Sequence, residues 1–271
     1  MAARPLQRAR WLVSDSLVLA RRNIEHVRQI PEKLFDVTLQ PIMFVLLFSY
    51  VFGNVIAVPD GDYKEYLIGG ILIQTLAFGM MGPGVSIATD LGEGMVDRIR
   101  SLPTSRSAYL GGHFLAELAA MLVAIALLGS AGLIVGWGIH SDAAHALLGL
   151  ALLVLFGGSM IWLGTLLGVT ARTPDSVQGF VFLVVFPLTF VSNAFVPAGG
   201  LPDGLRQIAE WNPVSAVVAA TRTLFGNPTA VPGDAAWPLQ HPVLAAFLWS
   251  AALLAVVAPL TLARFRSRTT G

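Results

Sequence analysis

The chain has 271 residues, 55% of them hydrophobic and only 12% charged, with a formal net charge of +1 and a mean hydropathy of +0.71. A water-soluble globule cannot hide that much apolar surface, so the composition excludes an ordinary soluble enzyme and places the chain in a membrane. No cysteine is present, which excludes disulfides, thiolate metal sites and cysteine nucleophiles.

Residues 1–35 read as an amphipathic leader. Val13, Leu17, Ala20, Ile24 and Val27 recur at helical spacing, and Ser14, Asp15, Arg21, Arg22, Glu25 and Arg28 fall on the other face. Such a helix lies in the membrane interface with its arginines toward anionic head groups, and Pro31 ends it. The first apolar run, Trp11–Ala20, is interrupted by Ser14 and Asp15 and lacks a small-residue cleavage pattern, so no cleavable signal is expected.

Six segments then reach the roughly 20 apolar residues that a hydrocarbon core about 30 Å thick demands. They are 40–57, 67–89, 114–139, 146–170, 177–197 and 243–263. The expected fold is all-α: a polytopic membrane domain over 36–265 with six transmembrane helices, then a short tail at 266–271. With the amino terminus in the cytoplasm, the basic residues before the first span, in 90–106, at Arg172 and in the tail all lie inside. Only Lys64, Arg206 and Arg222 then lie outside, as the positive-inside rule requires. Both termini are then cytoplasmic. The basic residues are accounted for by topology, so no nucleic-acid partner is implied.

Between the second and third spans lies a charged island, Asp90–Arg106, with the sequence DLGEGMVDRIRSLPTSR. Three carboxylates, three arginines and Pro103 make it longer than a turn needs, and it reads as a docking surface for a partner in the water. Leu91, Met95, Ile99 and Leu102 are spaced for one apolar face beside the charges. His113 and Glu117 follow at i, i+4 near the inner end of the third span. A carboxylate there is a functional hypothesis, and a structural or coupling role is favoured over a proton relay.

Gly132-Leu-Ile-Val-Gly136 and Gly164-Thr-Leu-Leu-Gly168 are faces that allow close helix approach, read here as packing within the chain. His140-x-Asp142-x-x-His145 reads as ordinary polar loop residues rather than a metal site. Mild polar residues in the second, fourth and fifth spans (Gln74, Thr75, Ser159, Thr165, Thr189, Ser192 and Asn193) suit a greasy or amphiphilic cargo better than an ion. After the fifth span the connection 198–241 predicts a short helix through Leu205, Ile208 and Trp211, a break at Asn212-Pro213, and a second helix over 214–225. The second helix stops at Gly226-Asn227-Pro228 and is too apolar for a free loop, so a re-entrant or interfacial hairpin is expected.

No G-x-x-x-x-G-K-[ST] loop is present, and Lys33 and Lys64 follow Glu32 and Tyr63. Any ATP and Mg must therefore be held by a separate polypeptide, and no cofactor is expected on this chain. No catalytic constellation is found, so the chain is not expected to be an enzyme by itself.

Six spans, an interfacial leader, a charged island after the second span and a helical hairpin before the sixth resemble the ABC-2 family of ABC exporter permeases. The island pattern D-x-G-E-G-x-x-D-R-x-R-S-L-P-x-S-R, and Asn212-Pro213-Val214-Ser215 in the hairpin, are similar to the daunorubicin-resistance type within it. The resemblance implies that the leader is the family's connecting helix. It also implies that the island carries a coupling helix seated in an ATPase subunit through Glu93, Asp97, Arg98, Arg100, Ser101 and Pro103. Two ATPase subunits, a second permease copy and membrane lipids are the implied partners, in a cell membrane and, from the arginine-rich composition, a bacterial one. The family's path lies near the second and fifth spans, which makes Gln74, Phe78 and Asn193 candidates to line it. The implied activity is outward export of a hydrophobic or amphiphilic drug, antibiotic or lipid-like metabolite. The alternatives are export of a polysaccharide or glycolipid, or a secondary transporter driven by an ion gradient.

Overall fold

The computed structural model describes residues 43, 45–51, 56, 58, 59, 61–94 and 106–270, with 106–108 and 268–270 given by backbone alone. The predicted leader, half of the first predicted span, and Asp97, Arg98, Arg100, Ser101 and Pro103 lie outside the described residues. Every regular element among those described is helical. Among the described residues, four helices are long and apolar enough to cross a membrane: Tyr63–Gly92, Tyr109–Val135, Ala143–Thr170 and Pro242–Ser267. They correspond to the second, third, fourth and sixth expected spans.

The first of these is two helices end to end, α1 (Tyr63–Phe78) and α2 (Met81–Gly92). The break falls at Gly79 and Met80, immediately before Pro83. Proline has no N–H to give Gly79 and its ring crowds that carbonyl, so the helix bends there. Asp62 caps the start of α1, accepting from the Lys64 amide at 3.1 Å. At the far end α2 runs on through Asp90, Leu91 and Gly92, and Gly94 at φ 70° stops it. The start of the charged island is thus the last turn of a membrane helix. Its other border likewise belongs to a helix, α3 (Arg106–Val135).

Helix α4 (Ala143–Thr170) is the centre of the bundle and packs on α1, α2, α3 and the last helix. A Cβ on Gly164 would lie 2.0 Å from the Met80 carbonyl oxygen, and one on Gly168 2.3 Å from that of Gly84. That glycine pair is therefore the contact face between α4 and α2, as packing within the chain requires. The other pair divides its roles. Gly132 packs against Trp137 and Ile68, but Gly136 sits in open space at φ 104° and serves to end α3.

The fifth expected span, 177–197, forms a shorter helix than its hydropathy suggests. Helix α5 (Pro174–Phe180) leads into a wide π-helical turn, Val181–Val185, and then α6 (Phe186–Phe190). The turn closes with the Phe186 amide donating to the Val181 carbonyl, just before Pro187, which has no N–H for the ordinary ladder. From Val191 to Pro197 the chain is not helical.

The hairpin follows as α7 (Asp203–Trp211) and α8 (Pro213–Phe225). Helix α7 exposes Leu205, Ile208 and Trp211 on one face, whereas α8 is enclosed by α1, α4 and the last helix. A short α9 (Trp237–Gln240) then leads into α10 (Pro242–Thr270). One end of the bundle carries Asp90 and Arg106 (the island end), and the other carries the 191–241 connection (the hairpin end).

Candidate functional site

A cavity of about 400 Å³ opens in the membrane-spanning part of the bundle, between α1–α2, α3, α4 and the π-helical turn before α6. The break between α1 and α2 at Gly79 borders it, and the π turn and the start of α6 bring Phe182 and Phe186 against α1. Phe78 meets both rings edge-on, with centroids at 6.2 Å and 6.5 Å. Gln74 and Thr75 supply polar groups, and Met121, Ala124, Gly157 and Ile161 complete an apolar wall. Glu117 also lines the cavity and faces α2, where Gly82 leaves room: a Cβ there would sit 3.6 Å from Glu117 Oε2. Glu117 lies eight residues beyond Tyr109, about 12 Å along the helix at 1.5 Å per residue. A chamber of this size with apolar walls and a few convergent polar groups is the form of a small-molecule site.

At the island end a second cluster ties the helices together. The Tyr109 hydroxyl donates to the Asp90 carboxylate, joining the first turn of α3 to the last turn of α2. Phe265 of α10 stacks on Tyr109 at 5.9 Å, and His113 stacks on its other side at 6.5 Å. Ile87, Leu110, Val169 and Phe265 form the apolar floor, with Leu91 packed against them. Leu91 therefore belongs to this floor and is not part of a free ridge on the island. His113 is buried beside Asp90 and Pro83. It and Glu117 both face α2, but His113 joins the pinned end and Glu117 the cavity. Glu93, on the border of the island, is exposed.

At the hairpin end, the non-helical stretch after α6 poses a problem, because its carbonyls lie away from water and need donors. The hairpin supplies them. Asn212 Nδ2 donates to the Leu188 and Val191 carbonyls at 2.6 and 2.9 Å, while its Oδ1 caps α8 by accepting from the Val214 amide. Ser215 Oγ accepts from the Asn193 amide. Arg222 is fully buried and donates to three carbonyls: Tyr66 at 2.8 Å, Asn193 at 2.9 Å and Ala194 at 2.9 Å. Its guanidinium lies 3.3 Å from the centroid of the Tyr66 ring. The Tyr66 and Tyr63 hydroxyls donate to the Asn193 and Phe195 carbonyls. Gly69 and Gly70 let this assembly close: a Cβ on Gly70 would lie 2.0 Å from the Ala194 oxygen.

Of the three expected pathway residues, Gln74 and Phe78 thus share the cavity wall. Asn193 lies in the hairpin-end lock and is buried there. Arg222, read from sequence only as one of three basic residues on the outer side, within the second hairpin helix, is fully buried. Its partners are carbonyls, which have no residue identity, so no pattern in the sequence signals them. The preceding Asn-Pro-Val-Ser element was visible, though not its work of satisfying the broken end of the fifth helix.

The surface of the hairpin carries an ion cluster. Arg206 bonds Glu210 and Asp234, both at 2.6 Å, and Glu210 also accepts from the Ala236 amide. The Arg206 hydrogen bond holds the Asp234 carboxyl below its ordinary value, and the bonds to Glu210 and Asp234 push Arg206 up. His140 pairs with Glu65 at 2.8 Å, and His145 with Asp142, where the His145 bonds hold the Asp142 carboxyl down. The two histidines of the 140–145 loop therefore face different carboxylates.

Comparison with known sequences adds a relationship to this geometry. The sequence model of the family described as ABC-2 type transporter matches residues 15–225. The chain is 32% identical over 256 residues to the daunorubicin resistance ABC transporter permease protein DrrB1 of Streptomyces coeruleorubidus, covering 94% of this chain and 87% of that one. It is 26% identical over 221 residues to the putative transport permease ycf38 of Pyropia yezoensis, covering 80% and 75%. It is 23% identical over 224 residues to the doxorubicin resistance ABC transporter permease protein DrrB of Mycobacterium tuberculosis, covering 82% and 77%.

Proposed function

The chain belongs to the ABC-2 type transporter family, and from that premise we propose how its parts divide the work of export. It is the permease subunit of an ATP-binding cassette exporter, and hydrolysis belongs to an associated ATPase. The proposed assembly is two permease copies with two ATPase subunits, and the proposed orientation puts both termini and the island end in the cytoplasm, with six spans in all. The ATPase pair pushes on the segment between α2 and α3 through Glu93, Asp97, Arg98, Arg100, Ser101 and Pro103. The displaced helices then switch the cavity between inward and outward access.

The proposed cargo is a hydrophobic or amphiphilic molecule of drug size, in keeping with the drugs named for two of the relatives. The observation that carries this reading is the 400 Å³ cavity, whose walls are apolar apart from Gln74, Thr75 and Glu117. That volume fits one small molecule rather than a polymer chain. A secondary transporter would be served by paired charges near mid-membrane. Glu117 is the sole charged residue among the described residues lining this cavity.

The test is co-expression with the cognate ATPase and measurement of doxorubicin efflux and ATP hydrolysis in membranes. Charge reversal at Asp97 and Arg98 is expected to abolish drug-stimulated hydrolysis, with the permease still in the membrane. Unchanged stimulation in both variants would remove the coupling role from these residues. Absence of ATP-dependent efflux by the unaltered complex would remove the export of this drug class.

A further inference from the structure

We infer that α7 is seated in the bilayer interface at the hairpin end, where it anchors the broken end of the fifth helix to the lipid. The partner is a lipid surface, and the seat is the same whatever the cavity carries. Of the two hairpin helices, α8 is enclosed within the bundle, whereas α7 leaves a stripe of large apolar side chains uncovered. Leu205, Ile208 and Trp211 follow one another at three-residue steps, and Ile208 and Trp211 keep 59% and 60% of their surface exposed. The opposite side of the helix is committed to the protein. Ala209 is buried there, and Arg206 bonds Glu210 and Asp234, which fixes the roll of α7 about its axis. Exposed Asp203 and Gln207 lie along one edge of the stripe only. An apolar stripe with protein behind it and polar groups along a single edge matches a boundary between hydrocarbon and water. The polar rim of a protein–protein interface, by contrast, surrounds its apolar core.

The neighbouring elements say which phase covers the stripe. Helix α9 packs on α7 and leads directly into α10. The membrane-crossing part of α10, Pro242–Ser267, has 26 residues, about 39 Å at 1.5 Å per residue against a hydrocarbon core of about 30 Å. Its first turn and α9 therefore reach the headgroup layer. Trp237 of α9 is exposed and stacks on His241, and Leu244 and Leu248 in the first turns of α10 are exposed as well. The stripe of α7 thus adjoins, through α9, a helix whose exposed side chains face lipid. Trp211 and Trp237 stand at the depth where amphipathic rings gather. The consequence runs through the residue after Trp211. Asn212 holds the Leu188 and Val191 carbonyls at 2.6 and 2.9 Å, so the depth at which α7 is seated sets where the fifth helix can end.

The chain lacks cysteine, so Leu205→Cys, Gln207→Cys and Ile208→Cys each place a single nitroxide on α7. The full-length permease is studied in nanodiscs of phosphatidylethanolamine and phosphatidylglycerol. Power saturation reads collisions of the label with oxygen, which concentrates in lipid, and with a nickel chelate, which stays in water. The labels at Leu205 and Ile208 are expected to meet oxygen severalfold more often than the chelate, and the label at Gln207 the reverse. Chelate-dominated collisions at all three positions would overturn the inference in favour of a helix in water. Shielding of Leu205 and Ile208 from both reagents, with labels of two copies broadening each other's spectra, would overturn it in favour of a second permease. Ile208→Glu puts a charge in the stripe without touching a buried group, so the fold is not at stake. It should shift the Leu205 label toward the chelate and speed amide exchange at 188–193 severalfold, while α4 exchanges as before. Unchanged collisions would remove the lipid seat, and unchanged exchange would remove the anchoring of the fifth helix.

Discussion

Arg222 has the most demanding environment of any side chain in the described structure. It is fully buried, and its three bonds end on main-chain carbonyls rather than on a carboxylate. Arginine suits this place because its planar fork carries several donors at fixed angles and its face stacks on an aromatic ring. Replacing it with alanine takes a donor from three buried carbonyls, leaving Asn193 with the Tyr66 hydroxyl, and opens a void beside Gly69. The expected cost is at least about 3 kcal/mol, read as a fall in the melting temperature of the detergent-solubilised protein. Arg222→Lys should recover only a minor part, because an ammonium on a flexible stem cannot reach three diverging oxygens while covering the ring. Tyr66→Phe keeps the ring and loses one hydroxyl bond, so about 1 kcal/mol is expected. If Arg222→Lys proved as stable as the unaltered chain, the three-carbonyl lock would not be what holds the hairpin end.

Among the elements, α4 comes backbone to backbone with α2 and the residue before it, and glycine is what permits it. A methyl group on Gly164 points at the Met80 carbonyl, a rigid backbone atom at the kink, so Gly164→Ala forces the two helices apart. The expected cost is about 1–3 kcal/mol. Gly129 on α3 meets nothing within 4 Å, and Gly129→Ala should fall within about 0.5 kcal/mol of neutral. Thermal melting of the two variants side by side checks the contrast. The hairpin gives a second prediction at this scale. Asp234 is depressed by Arg206, so the stability it contributes is present above its ordinary value of 3.8 and disappears as pH falls through the lower folded value. Protection of the α7 amides, taken relative to their intrinsic exchange rates at each pH, should therefore be unchanged between pH 7 and 5 and fall only in strong acid; a fall already at pH 5 would contradict this. These elements also mark what could be read beforehand. Hydropathy located α3, α4 and α10, and the Asn-Pro and Gly-Asn-Pro breaks located the two hairpin helices, because each signal is local. The π turn before Pro187, the end of the fifth helix at Phe190 and the division of labour between Gly132 and Gly136 were not legible. Each depends on which backbone groups another part of the chain satisfies.

For the whole molecule, the cavity lies between two pinned ends. Arg222, Asn212 and the two tyrosines close the hairpin end, and Asp90, Tyr109 and Phe265 close the island end. The helices that frame the cavity on one side, α2 and α3, are the two that border the 93–105 segment. Under the proposed coupling, a force applied to that segment reaches the cavity through α2 and α3, and the Asp90–Tyr109 bond joins them at the point of entry. Met81 and Glu117, on these two arms, would then shift in concert, so that under the proposed coupling a push on that segment reshapes the chamber instead of fraying its base. Tyr109→Phe keeps the ring stacked between His113 and Phe265 while removing the hydroxyl that holds Asp90. It should leave folding and ATPase association intact, and should lower the amount of drug exported per ATP hydrolysed severalfold. Asp90→Asn, whose amide can still accept from Tyr109, should lower it less. Efflux and phosphate release measured on the same vesicles give the ratio directly, and an unaltered ratio in Tyr109→Phe would show that the push reaches the cavity by another path.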